Sequence, residues 1–134
     1  MRKVICVGNR YVYPDGAALW VYDSAVKEQD TLRWVEGGLG GLSLITHFEN
    51  SSRILLLDYI HNVENATLFS LDEILSLVDV SSYSHDTAFY YLLSSLEDYF
   101  DKLPNIELLS CDPEKSNYID EIRSFVAKWE KYEK

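Results

Sequence analysis

The sequence predicts an α/β fold: a mostly parallel sheet with helices on both faces. Three observations support this. Strand-like and helix-like segments alternate along the whole chain, the pattern of parallel strands joined by crossover helices. The run Arg53-Ile54-Leu55-Leu56-Leu57-Asp58 is apolar until its last residue, so it reads as a buried strand with an acid at its C-terminal end. Glycines follow the first two strand-like runs, at Gly8 and in Gly37-Gly38-Leu39-Gly40-Gly41, where strand-to-helix turns are expected.

Residues 2–7 form the first expected strand. Its basic start at Met1-Arg2-Lys3 leads into an apolar stretch, but Gly8-Asn9-Arg10 interrupts it and no small-residue cleavage site follows, unlike a signal peptide. Residues 15–28 carry a helical pattern, with Ala18, Leu19, Tyr22 and Val26 on one face. Residues 31–36 read as strand two and 42–49 as a short helix. Strand three is 53–59. The segment 66–70 returns as an antiparallel strand, and 72–79 is a short helix or irregular. A longer helix spans 85–101, and 105–111 is the next strand. Residues 114–132 close the chain as an amphipathic helix, with Ile119, Ile122, Val126 and Trp129 at helical spacing. Right-handed crossovers then give the strand order 2-1-3-5, with the 66–70 strand antiparallel at an edge.

A chain of 134 residues is expected to form one domain with a real core, over 1–134. Its apolar runs are too short to span a bilayer. The net charge of −10 argues against nucleic acid and anionic membranes, and permits a basic partner or peptide. Cys6 and Cys111 lie in strand-like runs, which fits a reducing cytoplasm, although neighbouring strands would allow a disulfide.

In such a sheet every strand-to-helix turn lies on one edge, where ligands bind. Asp15 follows strand one, Glu36 and its glycines follow strand two, Asp58 ends strand three, and His85 opens the long helix. Asp15, Asp58 and His85 are therefore expected to converge. Two carboxylates and an imidazole suit a divalent transition metal, and equally an acid–base pair with its partner. Plainer roles stand beside these. Asp15 is a natural N-cap. Asp58, after three leucines, is as well explained by a buried hydrogen bond as by function. His85 at a helix start favours its neutral form, yet such a histidine is commonly just surface. His47 and His61 lack partners at ligand spacing. The glycines match neither G-x-G-x-x-G nor a Walker A loop. Tyr11, Tyr13, Tyr90 and Tyr91 read as core and rim, with Tyr11 and Tyr13 also suited to line a peptide groove.

Four blocks, in order, resemble one known family. Gly8-Asn9, five residues and Asp15-Gly16 look like its opening motif. Val35-Glu36-Gly37-Gly38-Leu39-Gly40-Gly41-Leu42 is similar to its Asp-Gly-Gly-Thr-x-Gly block. Leu55-Leu56-Leu57-Asp58 matches its apolar strand ending in Asp, and Ser84-His85-Asp86 its Ser-His block. The family is the hydrogenase maturation endopeptidases, which remove a C-terminal extension from the large subunit of NiFe hydrogenases. The resemblance implies a three-layer α/β/α sandwich with a twisted, mostly parallel five-stranded sheet. It implies that Asp15, Asp58 and His85 contact nickel already installed in the large-subunit precursor, so that the metal arrives with the substrate and no resident cofactor is expected. It further implies a carboxylate as general base, drawn from Asp15, Asp58 and Glu36. No nucleophile competes: both cysteines lie in strands, and no serine shows a nucleophile elbow.

The sequence departs from the family in four places. Pro14 stands where a second acid is usual, Arg10 replaces an apolar residue or Pro, Ala18 replaces a frequent Gly, and Glu36 replaces Asp. The loops around 60–65 and 111–114 are short. These departures leave room for a non-catalytic binding protein on the same scaffold, recognising a metal-loaded subunit or a peptide. A small-molecule enzyme using the Gly8–Asp15 turn is a third alternative.

Overall fold

The computed structural model describes residues 1–25, 32–79 and 87–131. In chain order the elements are β1 (Arg2–Cys6), α1 (Ala17–Ser24), β2 (Leu32–Glu36), a 3-10 turn (Leu42–Leu44) and α2 (Ile45–Phe48). There follow β3 (Arg53–Tyr59), β4 (Leu68–Ser70), α3 (Leu71–Asp79), α4 (Thr87–Tyr99), β5 (Asn105–Cys111) and α5 (Tyr118–Lys131). One five-stranded sheet has the order β2-β1-β3-β5-β4. The first four strands are parallel, and β4 runs antiparallel to β5 at the edge. The expected strand order and antiparallel edge are both found.

β3 sits in the middle of this sheet, and its sequence shows why. Leu55 and Leu57 enter a core shared with Ala17 and Val21 of α1 and with Ile122, Val126 and Trp129 of α5. Ile54 and Leu56 enter a second core on the opposite face, with Phe48 of α2, Ile74 of α3 and Leu92 and Leu96 of α4. A strand covered on both faces needs apolar residues at every position rather than at alternate ones. Each fully buried leucine contributes about 1.5–3 kcal/mol. Two cores on one sheet make the three layers.

Charge at the helix ends agrees with this arrangement. α5 carries Asp120 and Glu121 in its first turn and Lys128 and Lys131 in its last, as the helix dipole favours. At α3, the Ser70 N–H donates to Glu73 Oε1 at 2.9 Å, and the Glu73 N–H donates to Ser70 Oγ at 3.2 Å. This capping box starts a regular helix in a segment the sequence left between helix and irregular.

At the N-terminal ends of the strands, Arg53 is only 7% exposed. Its guanidinium donates to the Trp129 carbonyl at 2.8 Å, lies 4.3 Å from the centre of the Trp129 ring and stands 3.5 Å from Glu107. Trp129 Nε1 in turn donates to Glu107 Oε1 at 3.1 Å. This clamp ties the last turn of α5 to β3 and β5. Cys6 and Cys111 are buried thiols, and β3 runs between their strands. The disulfide allowed for neighbouring strands is therefore not formed. Among the described residues, no helix is long and apolar enough to cross a membrane.

Candidate functional site

β1 is followed by α1 on one face of the sheet, and β3 by α3 and α4 on the other. The connections thus leave β1 and β3 in opposite directions, which opens a crevice at the C-terminal ends of these neighbouring strands. Asp15 belongs to the loop that leaves β1, and Asp58 lies near the end of β3.

The first loop is held tightly. Gly8 has φ of 145°, and a Cβ there would collide with the Asp15 carbonyl oxygen, so only glycine fits. The Asn9 N–H donates to Asp15 Oδ2 at 2.7 Å. Trp20 Nε1 donates to the Arg10 carbonyl at 3.2 Å, and Tyr13 stacks on Trp20, joined to Pro14 by a cis peptide bond. The Asp15 side chain does not cap α1. That helix starts at Ala17, with Gly16 as an N-cap that makes no side-chain bond. Asp15 instead braces the loop on which it sits.

Asp58 is 1% exposed, and its Oδ1 accepts the Tyr59 N–H at 2.8 Å. Its position in β3 continues the Ile54 and Leu56 face, and it pairs in register with Ser110. Burial, with the Asp58 charge adding to it, pushes the Cys111 thiol far above its usual range, so Cys111 stays protonated and is no nucleophile. His85 lies outside the described residues, as do Ser84 and Asp86. Among the described residues, no group of three or more His, Cys, Asp or Glu side chains is arranged to hold a metal ion.

Glu36 ends β2 beside Cys6. Its side chain is half exposed and pairs with Arg10 at 3.1 Å; Arg10 also reaches Asp23 at 2.7 Å. The bonds to Glu36 and then Asp23 raise the Arg10 guanidinium above its usual range. Arg10, which the sequence marked only as a departure, thus links the first loop, α1 and the end of β2. The Gly8 N–H donates to the Gly38 carbonyl at 2.8 Å, so the two loops lie edge to edge.

Just past the ends of β3 and β5 lies a cleft of about 200 Å³ whose walls include Tyr13, Tyr59, His61, Glu64, Asp112 and Glu114. Burial, then Glu114 and Asp112, raise the Tyr59 phenol, and its hydroxyl is 3.4 Å from His61 Nδ1. The sequence drew attention to none of Tyr59, Glu64, Asp112 and Glu114. Their common signal is adjacency to the ends of β3 and β5. Tyr11 and Tyr13 are exposed, at 92% and 61%, rather than part of the core. A larger groove, of about 500 Å³, runs between Trp34 and α5 and holds no candidate residue.

No protein-family model matches the chain, and no curated protein matches it. Solved structures do. The NiFe hydrogenase maturation protease HybD from Thermococcus kodakarensis superposes with a TM-score of 0.68 at 18% identity, covering 98% of this chain and 100% of that one. The endopeptidase HycI from Escherichia coli gives 0.69 at 17% identity, covering 97% and 91%. The hydrogenase maturating endopeptidase HybD from E. coli gives 0.66 at 18%, covering 82% and 73%. Identities this low establish a shared fold, and it is the three-layer fold that the resemblance implied.

Proposed function

We propose that this chain is an endopeptidase that removes the C-terminal extension of a NiFe hydrogenase large-subunit precursor after nickel insertion, in the cytoplasm. The observation that carries the proposal is Asp58. A carboxylate buried at the end of a central strand is costly unless a ligand or hydrogen bonds offset its desolvation. Here it stands beside the crevice of a fold shared, over nearly its whole length, with a protein named as a NiFe hydrogenase maturation protease and another named as an endopeptidase.

In this proposal Asp15, Asp58 and His85 grip nickel that belongs to the substrate. Fixing the metal fixes the adjoining tail, which lowers the entropic barrier to positioning one peptide bond. A carboxylate then takes a proton from water as that water adds to the scissile carbonyl. The leaving amine takes up a proton, and the products are the shortened subunit and a free peptide. The protein needs no resident cofactor for this. Asp15 and Asp58 each have one oxygen fixed by a backbone N–H, from Asn9 and Tyr59. Incubation with nickel-loaded and nickel-free precursor tests the proposal. Intact mass should show loss of the extension from the loaded form only, and an uncut loaded precursor overturns the proposal.

One observation favours a second function. Glu36, at the position of the family's Asp, is tied up with Arg10 on the surface. A binding protein on this scaffold would hold the metal-loaded subunit without cutting it. Tight binding with no turnover is its signature.

A further inference from the structure

Among the described residues, eight large apolar side chains are exposed, and five of them lie in two loops: Tyr11, Val12 and Tyr13 after β1, and Leu39 and Leu42 after β2. Single exposed apolar residues are ordinary, but a contiguous group on a monomer marks a contact surface. These two loops are contiguous. They are joined by the bond from Gly8 to Gly38 and by the Arg10–Glu36 pair. Packing does not account for the exposure: Leu39 is 64% exposed and Tyr11 92%, although each loop is otherwise well bonded.

The charge around this group is net negative, with Arg10 the cation set among several carboxylates. Glu36 and Asp23 border it, and each already neutralises part of Arg10. On its other side the cleft wall carries Glu64, Asp112 and Glu114, and among the described residues no Lys or Arg lines that cleft. The whole chain carries −10. We propose that the loops after β1 and β2 form one docking face for the folded body of the protein substrate, and that the matching surface is apolar at its centre and basic at its rim. Tyr11, Val12, Leu39 and Leu42 supply the apolar contact, and the surrounding carboxylates steer the approach. This face adjoins Asp15, which sits on the first of the two loops but supplies none of the apolar contact, and it rests on the chain acting on a protein, as proposed above. A second copy of the chain is a poor occupant, because two-fold pairing would set like-charged rims against each other. An anionic membrane is repelled for the same reason.

The test measures equilibrium binding of the full-length protein to a nickel-loaded, uncut hydrogenase large-subunit precursor, alongside cleavage of that precursor. The docking variants are Tyr11→Ala and the double change Leu39→Ser with Leu42→Ser. The controls are Leu68→Ser and Tyr99→Ser, which alter exposed apolar residues away from the two loops. The docking variants should bind about ten-fold more weakly or worse, the controls should match the unaltered protein, and added salt should weaken binding throughout. Docking variants that bind normally, or controls that lose as much, overturn the docking face even if cleavage is seen. Binding that depends on the two loops without any cleavage keeps the docking face and removes the protease. No binding by the unaltered protein overturns it, as does a dimer that the docking variants dissolve.

Discussion

The two ends of β3 treat their charges differently. At the start, Arg53 is enclosed by a tryptophan ring, a carbonyl and a carboxylate from β5 and α5, 54 to 76 residues further along the chain. At the finish, Asp58 accepts the N–H of its own neighbour, Tyr59, and stands where the loops leave the sheet. The first end is a structural knot made by distant segments. The second lies at the edge of the sheet that carries the candidate site. A buried ion is thus no sign of function by itself; where it stands in the sheet is more telling.

The difference can be broken from either end. The largest effect is expected from Asp58→Asn, an isosteric change that keeps an acceptor for the Tyr59 N–H. Precursor cleavage should fall by about 10²–10⁴-fold, with the melting temperature nearly unchanged. If the rate persists, Asp58 is as structural as Arg53. Next, Trp129→Ala removes the ring over Arg53 and one partner of Glu107. Unfolding in denaturant should register a loss of about 3–5 kcal/mol, while cleavage per folded molecule stays the same. A lowered rate in the molecules that remain folded would mean that the two ends are coupled.

The smallest effect concerns acid stability near the structural end, where Lys3 Nζ donates to the His47 carbonyl at 2.7 Å. Burial first, then Lys3 and Arg33, hold the His47 imidazole below its ordinary 6.5. The unfolded chain therefore binds this proton more readily than the folded one. The His47 contribution to stability is complete above 6.5 and is lost as pH falls through that value toward the lowered folded one. Thermal melts of His47→Gln across this range should decline less steeply than those of the unaltered protein. An identical decline would assign the acid sensitivity to other groups.

The sheet was legible because its signals are local. An apolar run covered on both faces, glycines at strand ends and an amphipathic last helix are properties of short windows, and handedness supplies the strand order. Asp58 was legible for the same reason, as an acid closing a leucine run. The Arg53–Trp129–Glu107 clamp was not, because nothing in any of the three windows announces the other two. The Arg10–Glu36–Asp23 network was hidden similarly, and Arg10 looked like a mere departure. The Ser70–Glu73 capping box was local and could have been read from Ser-x-x-Glu. Tyr11 and Tyr13 belong to the exposed rim and not to the core, and Tyr13 lines a cleft, in keeping with the groove reading of that turn.

β4 carries a consequence beyond the sheet's order. It is three residues long and runs opposite to the strand it covers. Its pairing is extended by bonds between Thr67 and Ser110, from the Ser110 N–H to the Thr67 carbonyl and from the Thr67 N–H to Ser110 Oγ. Without it, β5 would offer a seven-residue row of unpaired backbone flanked by Ile106, Leu108 and Leu109. Such an edge is a template for another chain, and a row of this length and composition invites aggregation. A strand of three residues that passes directly into α3 offers almost nothing to copy. The short return after β3 is, in this sense, what keeps the molecule from growing sideways beyond β5.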